Sequence, residues 1–362
     1  MKGLLNFSFK ELKQELSQEG FPVRIAYQIF NWVYRKFVYS FEDMSDISKE
    51  IRLKLSEKYK ILELKIKDKI SSSDNETVKF LFETEDGLYI ETVIISAFDE
   101  DTSLDGSRLT LCVSSQVGCP LNCRFCATGK LGFKRNLSAG EIISQILLSE
   151  LYIKEKILKI DKSKGRKISN IVFMGMGEPL LNYEEVLKSV HILNFSGGYN
   201  LGSRHITIST AGIIPLIEKL SQEKEQLRLA VSLHSANQKT RETLMPISRE
   251  NKLSLLVEAL EEYQKKTLRR ITFEYILIPE LNDSEEEVLK LKELLEGLDY
   301  NLNIIAYNPV EGFSWKVPEK EDIENFTGLL KKHRIPYVFR KSKGSDIKAG
   351  CGQLGMYWKN GA

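Results

Sequence analysis

The chain lacks several features that would settle its class at once. No apolar run approaches the roughly 20 residues that a membrane helix needs, and the first residues, MKGLLNFSFKELKQEL, interrupt their apolar positions with charges. Neither a membrane span nor a signal peptide is expected, and the protein reads as cytoplasmic. A charge surplus is missing too: 52 basic residues oppose 50 acidic ones, a net +2. Nucleic-acid binding cannot be argued from that total and has to be sought in local patches. There is no low-complexity tract and no repeat of fixed period. Cysteine is scarce, five in 362 residues. An odd number, three of them within eight positions, is a poor disulfide framework for a chain this long, so metal or catalytic use is expected.

What is present divides into four stretches. Residues 1–61 read as a helical domain, with Ile25, Ile29, Val33 and Phe37 recurring every fourth position. Its 11 basic residues outnumber 8 acidic ones over residues 1–60. Arg24, Arg35, Lys36, Lys54, Lys58 and Lys60 are interleaved there with Tyr27, Trp32 and Tyr34, a pattern suited to RNA docking or to a solvated face over core aromatics. Residues 62–104 hold short alternating runs, Val78 to Phe82 and Leu88 to Ile95, expected as a small antiparallel β unit with a polar connector.

From residue 105 to 340 apolar strands alternate with amphipathic segments, and residues 341–362 form a tail. The strand candidates are Leu109 to Ser114, Asn170 to Gly175, His205 to Thr210, Leu227 to Leu233, Ile271 to Ile278 and Leu302 to Tyr307. Six βα units in series make an α/β fold with a parallel sheet; periodicity leaves a doubly wound sheet and a curved partial (β/α)6 barrel both open.

Cys119-Pro-Leu-Asn-Cys123-Arg-Phe-Cys126 follows the first of these strands. Three thiolates from one short loop can converge on a metal centre. Structural zinc is the alternative, but it wants four ligands, and no fourth cysteine or histidine lies nearby. Spacing and placement resemble the radical S-adenosylmethionine (SAM) superfamily. The resemblance implies a partial barrel, a [4Fe-4S] cluster on Cys119, Cys123 and Cys126, and SAM chelated at the iron that the cysteines leave open. It also implies a SAM pocket at the C-terminal strand ends, built by Gly177 and Glu178 of Gly175-Met-Gly-Glu-Pro179, by Ser209, by Ser232-Leu233-His234 and by Asn308. For His234 an ordinary strand-end polar role stays open.

Cys112 lies seven residues before the cluster motif and Cys351 lies in the tail, between Gly350 and Gly352. A buried cysteine is commonly a small hydrophobe. Cys351 sits instead in a polar, irregular segment that suits an accessible thiol.

With these residues included, TLCVSSQVGC, RNLSAGEII, FMGMGEPLLN, ISTAGIIP, VSLHS, LMPI and GSDIKAGCGQL resemble the RlmN family of dual-specificity RNA methyltransferases, close to Cfr, over essentially the whole chain. The resemblance implies methylation of adenosine C2 in the peptidyl transferase centre of 23S rRNA and in tRNA, 3′ of the anticodon, with two SAM molecules per turnover. One SAM methylates Cys351. The other yields the 5′-deoxyadenosyl radical, which removes hydrogen from that methyl group so that the carbon can add to C2, an electron-poor position closed to ordinary methyl transfer. Cys112 matches the cysteine that resolves the protein–RNA adduct, leaving a transient Cys112–Cys351 disulfide. Glu91 matches a glutamate proposed as proton acceptor, against the alternative of an exposed charge on an alternating strand.

Expected partners are the two RNAs and an electron donor such as a flavodoxin system, with the protein a monomer. Basic segments expected to touch RNA are the N-terminal helices, Lys154 to Lys167, Lys265 to Arg270, and Arg340, Lys341 and Lys343. Two rivals remain: a Cfr-type enzyme acting at C8, which Pro179 and Val117 disfavour, and a non-catalytic RNA-binding assembly factor.

Overall fold

The computed structural model describes residues 1–97, 108–157 and 168–355. Three N-terminal helices come first, α1 (Phe9–Gln18), α2 (Arg24–Tyr34) and α3 (Lys49–Lys58). A capping box starts α1: the Glu11 N–H donates to Ser8 Oγ at 3.3 Å, and the Ser8 N–H donates to the Glu11 carboxylate at 2.7 Å. Two otherwise unpaired helix-start donors are thereby satisfied. Ile25, Ile29 and Val33 form the buried stripe of α2. Phe37 does not continue the helix; it lies beyond Tyr34 with φ +57°, yet remains buried.

This region is not a detached module. Phe9 stacks on Phe195 at 4.5 Å, Phe30 meets the same ring edge-on at 5.6 Å, and one hydrophobic core runs from Leu4 to Leu354. Its suggested RNA face is also smaller than the sequence implied. Tyr34 is core, and Lys54, Lys58 and Lys60 pair with Glu50, Glu19 and Glu85. Tyr27 stays exposed, and the Lys36 ammonium lies 3.3 Å from the centre of the half-buried Trp32 ring.

All six expected parallel strands form: β4 (Arg108–Cys112), β5 (Ile168–Phe173), β6 (Ile206–Thr210), β7 (Arg228–Ser232), β8 (Ile271–Leu277) and β9 (Tyr300–Ala306). Helices α4 (Ala139–Ile157), α5 (Tyr183–Asn194), α6 (Ile214–Leu220), α7 (Gln238–Leu244), α8 (Leu253–Thr267) and α9 (Glu285–Leu294) connect them. A further helix, α10 (Lys320–Lys332), leads to β10 (Val338–Arg340), a seventh parallel strand that the sequence reading did not include.

The β unit comprises β1 (Leu64–Ser71), β2 (Thr77–Thr84) and β3 (Tyr89–Ala97). It is no separate layer, because β3 pairs antiparallel with β4, setting Val93 opposite Cys112. The result is one ten-stranded sheet in spatial order β10 to β1, with its two end strands unpaired with each other. It is an open sheet and not a closed barrel.

On β3, Thr92 Oγ1 donates to Gln145 of α4 at 2.7 Å, so even-numbered side chains there face the helix layer. Strand alternation turns Glu91 and Val93 to the other side. Among the described residues no helix is long and apolar enough to cross a membrane.

Candidate active site

The C-terminal ends of β5 to β9 surround a cleft that is open to solvent. It brings together Cys119, Cys123, Cys126, Gly177, Glu178, Ser209, Ser232, His234 and Cys351. They span 232 positions of sequence, from Cys119 to Cys351, and the parallel topology delivers the strand-end residues to one edge of the sheet.

The cysteine loop packs on an apolar collar of Leu121, Phe125, Leu244 and Met245. None of its thiols is in a disulfide. Burial pushes Cys119 up to about 12 and Cys123 well above the ordinary thiol range, so thiolates here need a cationic centre to form. Among the described residues no three His, Cys, Asp or Glu side chains converge closely enough for a single metal ion. A cubane cluster asks for something different, one thiolate at each of three separate irons, and the three cysteines facing one cleft fit it.

Gly177 has φ +101°, and a Cβ there would lie 2.5 Å from Gln116 Cβ. That close approach lets the Glu178 N–H donate to Gln116 Oε1 at 2.9 Å. The Glu178 carboxylate, 3 % exposed, accepts from the N–H groups of Leu180 at 3.1 Å and Ala211 at 2.8 Å. Burial still pushes it up to about 7. A buried carboxylate under that stress favours a cationic ligand, and the ammonium group of SAM is one.

His234 adopts φ +59°, uncommon for a residue with a side chain, and its Nδ1 accepts the Ile276 N–H at 3.1 Å. The ring proton is therefore on Nε2. Burial, aided by Arg241, lowers the imidazole to about 3 and keeps it neutral. A constrained, neutral donor on the cleft wall suits a ligand contact better than an incidental strand-end polar residue.

The two other expected SAM contacts, Leu233 and Asn308, are not among the residues that line the cleft. Leu233 is buried in the core, with its N–H donating to Glu274 O at 3.0 Å and its carbonyl accepting from Arg241 Nε at 3.2 Å. Asn308 donates through Nδ2 to Cys351 O at 3.2 Å, so it holds the tail in this structure.

The tail from residue 341 to 355 folds back over the cleft. On the β-unit side, the Lys343 ammonium pairs with Glu76 at 2.8 Å and donates to Ser96 O at 2.6 Å. The Ser73 N–H donates to Asp346 at 2.8 Å, and Lys79 donates to Lys348 O at 3.2 Å. On the cluster-loop side, the Ala127 N–H donates to Gly352 O at 2.7 Å and Thr128 Oγ1 to Leu354 O at 2.8 Å. Cys351 is thereby suspended between the two, exposed as a residue, its thiol pushed up to about 11 by burial and then by Glu274.

Cys112 is buried at the end of β4, and its thiol is raised by burial and by the neighbouring Cys351. The two non-cluster cysteines, 239 positions apart in sequence, thus lie within electrostatic range of one another. Glu91, expected as an exposed charge in one reading, is wholly buried: it pairs with Lys79 at 3.8 Å and accepts the Gly355 N–H at 2.8 Å. It anchors the tail and does not line the cleft.

Gly352 offers a direct test of this docking. Its φ is +82°, and an added Cβ would lie 2.7 Å from Phe125 O. Gly352→Ala is expected to lift the tail, speeding hydrogen exchange at the Ala127 amide and reducing methylation roughly a hundredfold, as misplacing a reacting group by about 1 Å can. Unchanged exchange together with full activity would remove the contact from consideration.

One cleft residue escaped sequence reasoning. Glu274, 5 % exposed on β8, accepts from Asn303 at 2.9 Å and faces Arg340 at 3.9 Å. Its signal was an acid inside the apolar run ITFEYIL. The basic segments fare unevenly. Lys265 to Arg270 precede β8, at the sheet end opposite the cleft, and Arg270 pairs there with Asp299. Residues 158–167 lie outside the described residues. Arg340 and Lys341 are exposed beside the tail.

Comparison with known proteins agrees with this geometry. Residues 2–61 match the family model of the ribosomal RNA large subunit methyltransferase N-terminal domain, and residues 113–291 match that of the radical SAM superfamily. The chain is 44 % identical to a protein of Dictyoglomus turgidum named as a probable dual-specificity RNA methyltransferase RlmN, over 99 % of both chains. It is 43 % identical to one of the same name from Thermotoga neapolitana, over 98 % of this chain and 97 % of that one. The crystal structure of a radical SAM methyltransferase from Sphaerobacter thermophilus superposes with a TM-score of 0.91 at 39 % identity, covering 98 % of this chain and 99 % of that one. The chain therefore belongs to the RlmN family of the radical SAM superfamily, and it is an RNA methyltransferase that uses SAM and a [4Fe-4S] cluster.

Proposed function

We propose that this enzyme methylates C2 of an adenosine in the peptidyl transferase centre of 23S rRNA and of the adenosine 3′ of the anticodon in tRNA, with Cys351 as the methyl carrier. The observation that carries the reading is the tail: Cys351 lines the same cleft as Cys119, Cys123, Cys126 and Glu178.

Cys119, Cys123 and Cys126 would hold the cluster, and Glu178, Ser209, Ser232 and His234 the SAM. Bound together, these groups supply a methyl group and a carbon radical able to remove hydrogen. Cys351 accepts the methyl on sulfur as a thioether and presents it to the base, the Asn308 bond to its carbonyl fixing the approach. Cys112 then resolves the covalent link to RNA, ending as a disulfide with Cys351 that cellular reductants reopen. Glu91 positions the tail through Gly355, and it would act as proton acceptor only once that contact opens.

The target base has to leave its stack to reach the cleft, at a cost of roughly a few kcal/mol. Arg340, Lys341 and the N-terminal helices supply the surface that holds the RNA backbone. The enzyme works in the cytoplasm as a monomer, reduced by a flavodoxin-class donor.

The test is mass spectrometry of nucleosides from rRNA fragments and tRNA treated anaerobically with protein, SAM and reductant. 2-Methyladenosine in both is expected; 8-methyladenosine alone would overturn the assignment.

A further inference from the structure

Arg241 on α7 is the largest side chain wholly buried among the described residues. Its guanidinium donates only to backbone carbonyls: Nε to Leu233 at 3.2 Å, Nη1 to Asn251 at 3.3 Å, and Nη2 to Ala211 at 2.8 Å and Ser232 at 3.2 Å. Carbonyl dipoles solvate a cation without neutralising it. A buried charge with no counter-charge is strongly disfavoured, so this arrangement asks for an anion that the side chains bonded to it do not provide.

The position points to where that anion sits. Helix α7 ends at Leu244, whose carbonyl accepts the N–H of Arg124, between two of the cysteines, at 2.9 Å. Leu244 and Met245 then pack with Leu121 and Phe125 around Cys119, Cys123 and Cys126. Among the groups acting electrostatically on Cys123, the other two cysteines and Glu178 are acids, and Arg241 is the one cation. Four carbonyls from strand ends and loops hold it rigidly behind the cleft wall, so its charge cannot swing away to solvent.

We propose that Arg241 is the fixed counter-charge of the cluster held by Cys119, Cys123 and Cys126, and that it raises the reduction potential of that cluster. The inference rests on the reading of those cysteines as cluster ligands. Reduction transfers one electron from a low-potential donor, dithionite in vitro, to the [4Fe-4S]2+ form and gives [4Fe-4S]+. The thiolates stay bound and no proton is required. A positive charge fixed nearby favours the form with the added electron. Arg241 acts through the cluster and touches no substrate.

The test is a redox titration followed by electron paramagnetic resonance, using the anaerobically reconstituted holoenzyme without SAM. Arg241→Gln is expected to lower the ratio of reduced to oxidised cluster at fixed potential at least about tenfold, 59 mV for one electron. Arg241→Lys keeps the charge while losing the planar fork, and is expected to stay within about twofold of the parent on that 59 mV-per-decade scale. Equal shifts in both variants, or no shift in Arg241→Gln, would overturn the proposal. If Arg241→Gln takes up no cluster, Arg241→Lys decides: loading by the lysine variant supports a charge requirement, and failure of both assigns Arg241 to structure alone. A parent protein without a [4Fe-4S]+ signal would instead refute the ligand reading.

Discussion

Replacing Cys351 by alanine is expected to reduce RNA methylation by at least about a thousandfold, in line with removal of a covalent nucleophile, while the protein keeps its brown cluster. The structure separates these effects. Cys351 is exposed, so losing its sulfur opens no core cavity. The bond that holds this part of the tail runs from Asn308 to the Cys351 carbonyl, which alanine retains. The neighbouring contacts at Gly352, Leu354 and Gly355 are backbone contacts too. The variant therefore keeps its geometry and loses its carrier. Nucleoside mass spectrometry gives the methylation, and visible absorbance gives the cluster. A variant that still forms 2-methyladenosine would refute the carrier role.

Cys112→Ala should have the opposite signature, with chemistry begun and not finished. Its residue is 8 % exposed at the end of β4, in ladder register with Val93 and Val172, so alanine preserves the backbone and costs about 1 kcal/mol for the missing atom. Cys351 can still be methylated and can still attach to the base. Without its neighbour to resolve the link, a covalent protein–RNA species should accumulate, visible as a shifted band with labelled RNA on denaturing gels. Normal turnover without that band would remove Cys112 from the resolution step. Burial raises the Cys112 thiol, so its ionisation is disfavoured until a reaction partner arrives.

Much of this site was legible before any coordinates. The cysteine spacing, the Gly-Met-Gly-Glu-Pro turn and the strand-end Ser209, Ser232 and His234 all reached the cleft, because in a parallel sheet the residue after a strand is also at the mouth. The placements that differ from the local pattern have a common cause. Leu233 was carried along with its neighbours, yet strand alternation turns it into the core. Strand direction puts Lys265 to Arg270 at the sheet end opposite the cleft. Glu91 looked equally like surface and site, since one alternating strand does not tell which of its faces another element will cover.

The amino-acid order alone determined the local chemistry of this protein: three thiols on one loop, an acid after a glycine turn, a cysteine in a polar tail, and strands and helices of recognisable period. These depend on neighbours a few positions apart. Only the tertiary structure decided that the tail crosses the cleft from Lys343 to Gly355, that Cys351 shares that cleft with the three cluster cysteines, that Glu91 is an anchor under Lys79, and that Arg241 lies buried behind the cluster loop. Each of these joins residues far apart in sequence. Such contacts are set by which surfaces bury one another, and no short-range pattern in the chain encodes that.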